Sequence, residues 1–448
     1  MNTSFKEIAS GIDISKSKLD IAIRNFQEII AYQEFSNDTE GAKLCLELLI
    51  KHGCLDVAME STGPYWYGIY DYLTANGIHT ILVNPSMAKT NVTNKSDKID
   101  SASLATLHLL NQLKPSYVPD KDVRRLRRLT RFRASLVDMK TAIKNQTTAC
   151  INSFSSEITS VYARPFGKSG RKLLSMLTEG DKKKDQDEFM KELDSKLKLT
   201  HEKRNKIAEI VNRAYTPSLF DPWFIEVSSK MITEIESWIA QLNDAIAKAV
   251  DSNPKIREYV DRLLTIKGVG LDTAQQMAVE IADIDRFESS GSLVRYAGIN
   301  PKIIQSGSVK KYGSLEKRGP ASFRRALYQA AHSMTFEGPD NFQRHFEAVK
   351  GRYGKKLGPI VGTVSTSRKL VRLIWSMLTN KTDFIDSPQK LTETKKKKML
   401  KRVKRFDSSN ALNNGNDVYR PPMIKLLLNL DKLNPEVKGQ VQEMLAQL

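Results

Sequence analysis

Four acidic residues in the first hundred positions have the types and spacing of a metal-binding group. Asp13 lies in GIDIS, a predicted first strand, and Glu60 ends another predicted strand, VAMES. Asp97 and Asp100 lie in NKSDKIDSASLA at or just before a helix start, and their i, i+3 spacing projects both from one side of that helix. The two strands are expected to be neighbours in a sheet, which would bring Asp13 and Glu60 together.

Carboxylates that converge in this way repel one another unless a divalent cation neutralises them. Mg²⁺ is the natural ion, because it prefers carboxylate and water oxygens and can polarise a phosphodiester. Each residue also has an ordinary structural interpretation: Asp13 as a turn-side carboxylate, Asp97 as a helix cap, and Asp100 as a first-turn acid facing the helix dipole. Taken together, in their order along the chain, the four residues favour a metal site.

Alternating and helical apolar patterns indicate the elements that position these acids. Residues 1–118 predict three successive strands and then a helix, strand, helix, strand and helix. This β-β-β-α-β-α-β-α order is that of the ribonuclease H or RuvC-like fold, although such a string can be threaded in other ways. The predicted class is therefore an α/β domain followed by mainly helical regions.

Composition points to a polyanionic partner. The 448 residues include 70 Lys and Arg against 51 Asp and Glu, giving a formal charge of +19, and a pI near 9.6. For a protein of this size, nucleic acid is the usual polyanion. Six arginines cluster on one predicted helix within residues 119–255 and are interpreted as phosphate contacts, with a solvated helix face as the alternative. They are Arg124, Arg125, Arg127, Arg128, Arg131 and Arg133.

Residues 186–252 contain two charged helical segments, separated at Pro217 and Pro222, that predict an antiparallel hairpin or coiled coil. A further domain is predicted over residues 256–380, opening with a helix-hairpin-helix-like turn. In that turn Lys267, Gly268 and Gly270 would bring backbone amides close to a phosphate, with a purely structural helix turn as the alternative. Residues 381–448 are a basic tail ending in a short helical element.

The stretch IIQSGSVKKYG, around Ser306, reads at first as a polar loop between packed elements. It gains interest because a serine beside basic residues could attack a phosphate, if a metal or base activates it. The basic residues expected to hold DNA there, or simply to be solvated, are Lys310, Lys311, Lys317, Arg318, Arg324 and Arg325.

Cysteine usage and hydropathy indicate a cytoplasmic protein. Cys45, Cys54 and Cys150 form no CxxC pair, which argues against a zinc ribbon or a disulfide framework. No apolar run is long enough for a membrane span, and the first residues do not resemble a signal peptide. No membrane partner is expected.

The segments GIDISK, AMESTGPYW and KSDKIDSASLA, with the RRLRRLTRFR helix, resemble the DEDD transposases of insertion sequences. That family includes bridge-RNA-guided recombinases and Piv-type DNA invertases. The run LLTIKGVGLDTAQQMAVEI, RYAGINP, QSG and KRGPASFRRALY resembles the family's second domain. Together the two blocks cover about the first 145 residues and residues 260–335. Ile99 and Ser101 depart from the family pattern, which commonly has a basic residue and an alanine there.

The resemblance implies that Asp13, Glu60, Asp97 and Asp100 are the family's acidic residues, and that Ser306 is its nucleophile. It also implies target and donor DNA as substrates, a structured bridge RNA as guide, and a homo-oligomer, dimer or tetramer, whose protomers share active sites. Two alternatives stay open. A RuvC-like metal-dependent nuclease would use water instead of Ser306, and a binding protein without catalysis would leave the carboxylates unexplained.

Overall fold

The computed structural model describes most of the chain. The described residues are 6–61, 63–84, 96–154, 165–178, 186–197, 200–214, 222–306 and 309–385. The basic tail from residue 386 onward, with its predicted short helix, lies outside them. Within the described ranges, no helix is long and apolar enough to cross a membrane.

The N-terminal part is a five-stranded mixed sheet. Its strands are β1 (Ala9–Ile14), β2 (Lys18–Arg24), β3 (Ile29–Ser36), β4 (Asp56–Glu60) and β5 (His79–Val83), in the order β3-β2-β1-β4-β5. The first three pair antiparallel, and β1, β4 and β5 pair parallel. Three helices complete it: α1 (Thr39–Lys51), α2 (Tyr67–Ala75) and α3 (Asp97–Leu109). The predicted order of elements is confirmed.

The sheet forms because its central strands are apolar on both faces. Ile12, Ile21, Ile23 and Met59 are fully buried among the side chains of α1 and α2, as expected for strands covered by helices on both sides. On the other face, α3 packs across β1, β2 and β4.

After the sheet, the chain is mainly helical. Its helices are α4 (Lys121–Phe154), α5 (Lys168–Thr178), α6 (Gln186–Lys196), α7 (His201–Ala214), α8 (Pro222–Asp251), α9 (Pro254–Leu264), α10 (Leu271–Ile281), α11 (Ser290–Tyr296), α12 (Ala321–Glu337) and α13 (Asp340–Thr379). One antiparallel hairpin of β6 (Pro301–Ser306) and β7 (Val309–Leu315) interrupts them.

The long helix α8 has a different partner from the one its sequence predicts. It packs along α4, where Glu236 accepts from Lys144 and Asn243 accepts from Arg133. The expected hairpin of α8 with the helices immediately before it is therefore corrected. The short helices α5 to α7 instead form a small apolar cluster with the ends of α4 and α8. This cluster accommodates part of the stretch 160–186, which the sequence alone does not place.

A larger core joins the first turns of α4 to the C-terminal helices. It includes Val123 and Leu126 of α4 together with buried residues of α8 to α13. The helix that carries the six arginines is therefore part of the packing of the C-terminal region.

Candidate active site

Two of the four predicted acidic residues lie at the same ends of adjacent parallel strands. Register pairs Ile12 of β1 with Met59 of β4, so Asp13 and Glu60 are the next residues along each strand. The expectation that these strands are neighbours is confirmed. A half-buried Asp13 and a half-buried Glu60 thus lie at the carboxyl edge of the sheet, the usual location of a site in such sheets.

Helix α3 presents the other two acids. Ser96 caps its N-terminus, with its Oγ accepting from the Ile99 N–H at 3.3 Å. Asp97 and Asp100 both lie in the first turn and are exposed. The cap is therefore Ser96 and not Asp97, which leaves the Asp97 carboxylate available for another role.

Gly11 sets how closely α3 approaches β1. A Cβ at this position would lie 2.2 Å from the Ser101 carbonyl oxygen and 2.5 Å from the Ala105 nitrogen. Both are backbone atoms, so no side-chain rotation could relieve the overlap. The missing side chain of Gly11 lets the acidic turn of α3 lie beside Asp13.

Gly11→Ala is expected to lower the free energy of unfolding by about 3 kcal/mol, because α3 must shift away from the sheet. The same shift moves Asp97 and Asp100, so any Mg²⁺-dependent activity should fall as well. Denaturant unfolding of the full chain measures the first effect. Gly68→Ala is the matched control, because a Cβ there meets nothing within 4 Å and alanine favours a helix. An equal loss of stability in both variants would contradict the role of Gly11.

The charges of the four carboxylates act on one another. Burial raises the pKa of Asp13 to about 6, and Glu60 adds to this. The Ile14 N–H, 2.9 Å from Asp13 Oδ1, opposes the shift, while Asp97 and Asp100 contribute to it. Two elements, β4 and α3, therefore direct negative charge toward one half-buried aspartate of β1.

The donor set fits Mg²⁺ by its chemistry. Among the described residues, no three His, Cys, Asp or Glu side chains lie close enough to enclose an ion. Mg²⁺ does not require such an enclosure, because it usually binds through one or two carboxylates, water and substrate phosphates. The negative charge of Glu60, Asp97 and Asp100 acting on Asp13 is consistent with that mode of binding.

Ser306 lies at the end of a β-hairpin and not in an irregular loop. It is the last residue of β6 and pairs with Val309, the first residue of β7. The side chains of residues 303–312, including Ser306, Lys310 and Lys311, lie outside what the structure describes. The sequence did contain the signal, since a Gly-Ser dipeptide between two β-branched segments is typical of a two-residue hairpin turn.

Four of the six clustered arginines bind within the chain. Arg124 is buried, forms an ion pair with Asp71 at 2.5 Å, and lies over the rings of Trp66 and Tyr67. Arg133 is also buried and donates to Asp272 at 2.9 Å. For these two residues the expectation of a phosphate contact is corrected, because their guanidinium groups are enclosed by protein.

Arg127 and Arg131 are directed toward α10. Arg127 donates to the backbone oxygens of Val279 and Glu280, and Arg131 makes two 2.8 Å bonds to the Glu280 carboxylate. Arg125 is exposed, as is Arg128. The phosphate contacts of this helix thus stay a prediction for the exposed Arg125 and Arg128 and for the half-exposed Arg131.

Glu280 is a fully buried acid that sequence analysis did not single out. Its carboxylate accepts from Arg131 and from the Ser322 hydroxyl at 2.5 Å, and the Tyr296 hydroxyl donates to its backbone oxygen. An acid near the end of an otherwise apolar helix, QQMAVEI, was the available signal. The residue holds α4, α10 and α12 together.

Glu280→Gln is expected to lower the free energy of unfolding by about 1–3 kcal/mol, because it removes the charge of a fully buried acid that accepts from the half-exposed Arg131 and from Ser322. Chemical denaturation of the purified chain is the measurement. Glu258→Gln removes an i, i+4 pair with Arg262 on a partly exposed surface, so its effect should stay below about 0.5 kcal/mol. Similar losses in the two variants would show that the buried network contributes little.

Some of the remaining predicted nucleic-acid-binding residues are exposed, and others have contacts inside the chain. Lys267 is exposed in the turn between α9 and α10, where Gly268 has a φ of 96° and Gly270 caps α10. Lys317 and Arg318 are exposed before α12. Two others have contacts inside the chain: Arg324 donates to the Ala297 oxygen, and Arg325 forms a short ion pair with Asp138.

Comparison with known proteins identifies the family. A model described as Transposase matches residues 10–155, and a model described as Transposase IS116/IS110/IS902 family matches residues 260–346. The chain belongs to this transposase family. The first match covers the sheet and α4, and the second covers the region from α9 to the start of α13. These regions are the two blocks of the predicted resemblance.

One relative is the pilin gene-inverting protein of Moraxella bovis, which is 28% identical over 196 residues. The match covers 41% of this chain and 58% of that protein. The match thus spans less than two thirds of that relative. The transposase for insertion sequence element IS1111A of Coxiella burnetii is 24% identical over 335 residues, 74% and 79% of the two chains. The solved structure of T. thermophilus RuvC in complex with a Holliday junction substrate covers 25% of this chain and 100% of RuvC, at 13% identity and a TM-score of 0.20, too low to support a conclusion.

Proposed function

We propose that this chain is a recombinase that cuts and rejoins DNA through a covalent phosphoserine at Ser306. The observation that carries the proposal is the placement of Asp13 and Glu60 at one edge of the sheet beside the first turn of α3, where burial and the neighbouring negative charge raise the pKa of Asp13. Strongly shifted pKa values cluster at functional sites, where the charge takes part in binding or catalysis. Membership of the transposase family supports DNA as the substrate of this carboxylate site.

Asp13, Glu60, Asp97 and Asp100 would hold Mg²⁺. When bound, the ion supplies positive charge that polarises a phosphodiester and offsets the charge developing on it. The residues of the chain contribute the binding oxygens and their spacing across β1, β4 and α3. The metal-dependent nuclease that uses water remains the competing mechanism for the same carboxylates.

In the covalent step, Ser306 Oγ attacks the phosphorus of a DNA phosphodiester. A new Oγ–P bond forms as the bond from phosphorus to a deoxyribose oxygen breaks. The serine proton is lost, and the departing oxygen gains one to become a hydroxyl. Attack by the hydroxyl of a different DNA end reverses these changes and releases Ser306, so strand exchange conserves the number of phosphodiester bonds without an external energy source.

We propose target and donor DNA, a structured bridge RNA as guide and a second copy of the chain as partners. The exposed Lys267, Arg125, Arg128, Lys317 and Arg318 support nucleic-acid binding. The relatives are named for inversion of a pilin gene and for an insertion sequence element. Both names refer to rearrangement of DNA, which supports recombination over simple cutting.

The test is to trap the covalent adduct on a cognate DNA junction and to map the attached residue by mass spectrometry. The proposal predicts a phosphodiester-linked peptide that contains Ser306. Mg²⁺-dependent cutting that yields no adduct would favour the nuclease mechanism instead. An adduct at another residue would reassign the nucleophile.

A further inference from the structure

Helix α13 is a hairpin of two closely packed arms. Its path breaks at Gly354, where φ is 71°. A Cβ at Gly358 would lie 2.4 Å from the Lys350 oxygen, and one at Gly362 would lie 2.8 Å from the Phe346 ring. Across the same contact, His345 Nε2 lies 2.9 Å from Ser365 Oγ. The arms therefore run against each other from the break at least as far as His345.

This hairpin is strongly basic. It carries eight Lys and Arg residues against the two acids Asp340 and Glu347. Glu347 is already paired with Lys350 of the same arm at 3.1 Å. Most of the positive charge on α13 is thus uncompensated by acids within the hairpin.

Arg368 has an unusual position in this basic hairpin. Its Nε is buried and has no hydrogen-bond partner. The charged neighbour that acts most on it is Arg372, another cation. A buried donor without an acceptor is costly, and the half-buried guanidinium of Arg368 also lies near the like charge of Arg372.

His345 lies in the same positive environment. Burial lowers its pKa, and Lys369, Arg352 and Arg368 lower it further. Lys369 is fixed nearby, because its Nζ donates to the Asn341 oxygen and lies 4.5 Å from the centre of the Phe342 ring. The cations that lower the pKa of His345 come from both arms of the hairpin.

We infer that His345, Arg352, Arg368 and Arg372 form an anion site on α13, which takes a backbone phosphate of DNA. A phosphate would bind at the exposed Arg352 and Arg372 beside the half-buried guanidinium of Arg368, and its charge would relieve the repulsion among these cations. The match to the transposase family model ends at residue 346, before Arg352, Arg368 and Arg372. The inference rests on the proposed function only because it takes DNA as the polymer whose phosphate is bound.

The experiment compares Arg368→Met with Arg344→Met in the full-length chain. Methionine keeps the apolar stem of Arg368 and removes its charge. Arg344 is an exposed arginine on the same helix and controls for the loss of one positive charge. Equilibrium binding to a 30-base-pair duplex at fixed salt should weaken about tenfold for Arg368→Met and less than twofold for Arg344→Met.

Thermal unfolding gives an independent reading. Without ligand, Arg368→Met should melt at or above the temperature of the native chain, because it removes a buried donor that has no acceptor and a charge next to that of Arg372. Inorganic pyrophosphate, the small-anion probe, should raise the melting temperature of the native chain but not that of the variant. A variant that melts lower and still responds to pyrophosphate would overturn the site.

The duplex-binding measurement distinguishes a DNA phosphate from a small free anion as the ligand of the site. If pyrophosphate stabilises the native chain while duplex affinity is unchanged in Arg368→Met, the site holds small anions only and the inference fails. Equal weakening in both methionine variants would also overturn it. The two proposals fail separately: absence of the covalent adduct with the native chain would contradict the serine mechanism, whereas the duplex and pyrophosphate measurements on Arg368→Met test this site alone.

Discussion

Ser306→Ala is expected to abolish the covalent protein–DNA adduct and to reduce strand exchange by at least about 10³-fold, because alanine has no atom that can form the bond to phosphorus. Duplex and RNA affinities should remain within about twofold of native, since one hydroxyl at the end of a hairpin contributes little to backbone binding. The adduct is measured on denaturing gels with labelled junction DNA, and strand exchange by product sequencing.

Ser308→Ala is the control for Ser306→Ala. It lies two residues away, beyond the Gly307 of the same turn sequence, and it removes the same hydroxyl. It should retain adduct formation within a few-fold of native. Adduct formation by Ser306→Ala, or its loss in Ser308→Ala alone, would rule out Ser306 as the nucleophile.

Asp13→Asn is expected to abolish Mg²⁺-dependent strand cleavage and at the same time to stabilise the metal-free chain. Burial and Glu60 raise the pKa of Asp13 to about 6, so at pH 7 its charged form costs stability that is regained as the pH falls through 6. An asparagine has no charge to desolvate and should raise the free energy of unfolding by about 1–3 kcal/mol at pH 7. Denaturant unfolding in EDTA measures the gain.

The gain should vanish under two conditions. At pH 4, where Asp13 is protonated in the folded chain, native and variant should be nearly equal in stability. With Mg²⁺ present, the native chain should be stabilised and the variant less so. Asp38→Asn is the control, because Asp38 caps α1 through the Gly41 N–H and asparagine caps equally well. A variant Asp13→Asn that is less stable and still cuts DNA would exclude the carboxylate site.

The sheet and its acids were predictable because their signals are local. Alternation in GIDIS and KLDIAIR defines two strands, and one parallel pairing then places Asp13 beside Glu60. The placement of Asp97 and Asp100 in one helical turn follows from their i, i+3 spacing, although Ser96 and not Asp97 caps that helix. Such features need only neighbouring residues and one strand pairing.

The arginine helix was interpreted only in part, because composition does not reveal partners distant in sequence. Arg131 and Glu280 are 149 residues apart, and nothing in RRLRRLTRFR indicates a buried acid so far along the chain. The pairing of α8 with α4 is another such contact. In both instances tertiary packing determined which face of a charged helix reached solvent.

The β6–β7 hairpin was missed for a different reason. Its first strand, PKIIQS, contains only two apolar residues in succession, and two neighbouring isoleucines do not show the alternation of a half-buried strand. The polar residues around Ser306 instead favour a loop. The pairing of Ser306 with Val309 shows that the Gly-Ser signal is the better guide here than the weak strand pattern before it.

The attachments of α4 fix a rotational phase as well as a distance. Arg124 anchors α4 to α2 through Asp71, and Arg131 anchors it to α10 through Glu280. Seven residues are nearly two helical turns, so both anchors leave α4 from one side. One inserted residue between them would rotate one anchor about 100° relative to the other. The number of residues between the two anchors therefore fixes the rotation of the carboxylate-bearing sheet relative to the region that carries the serine-bearing hairpin. Insertions and deletions are tolerable only outside that interval.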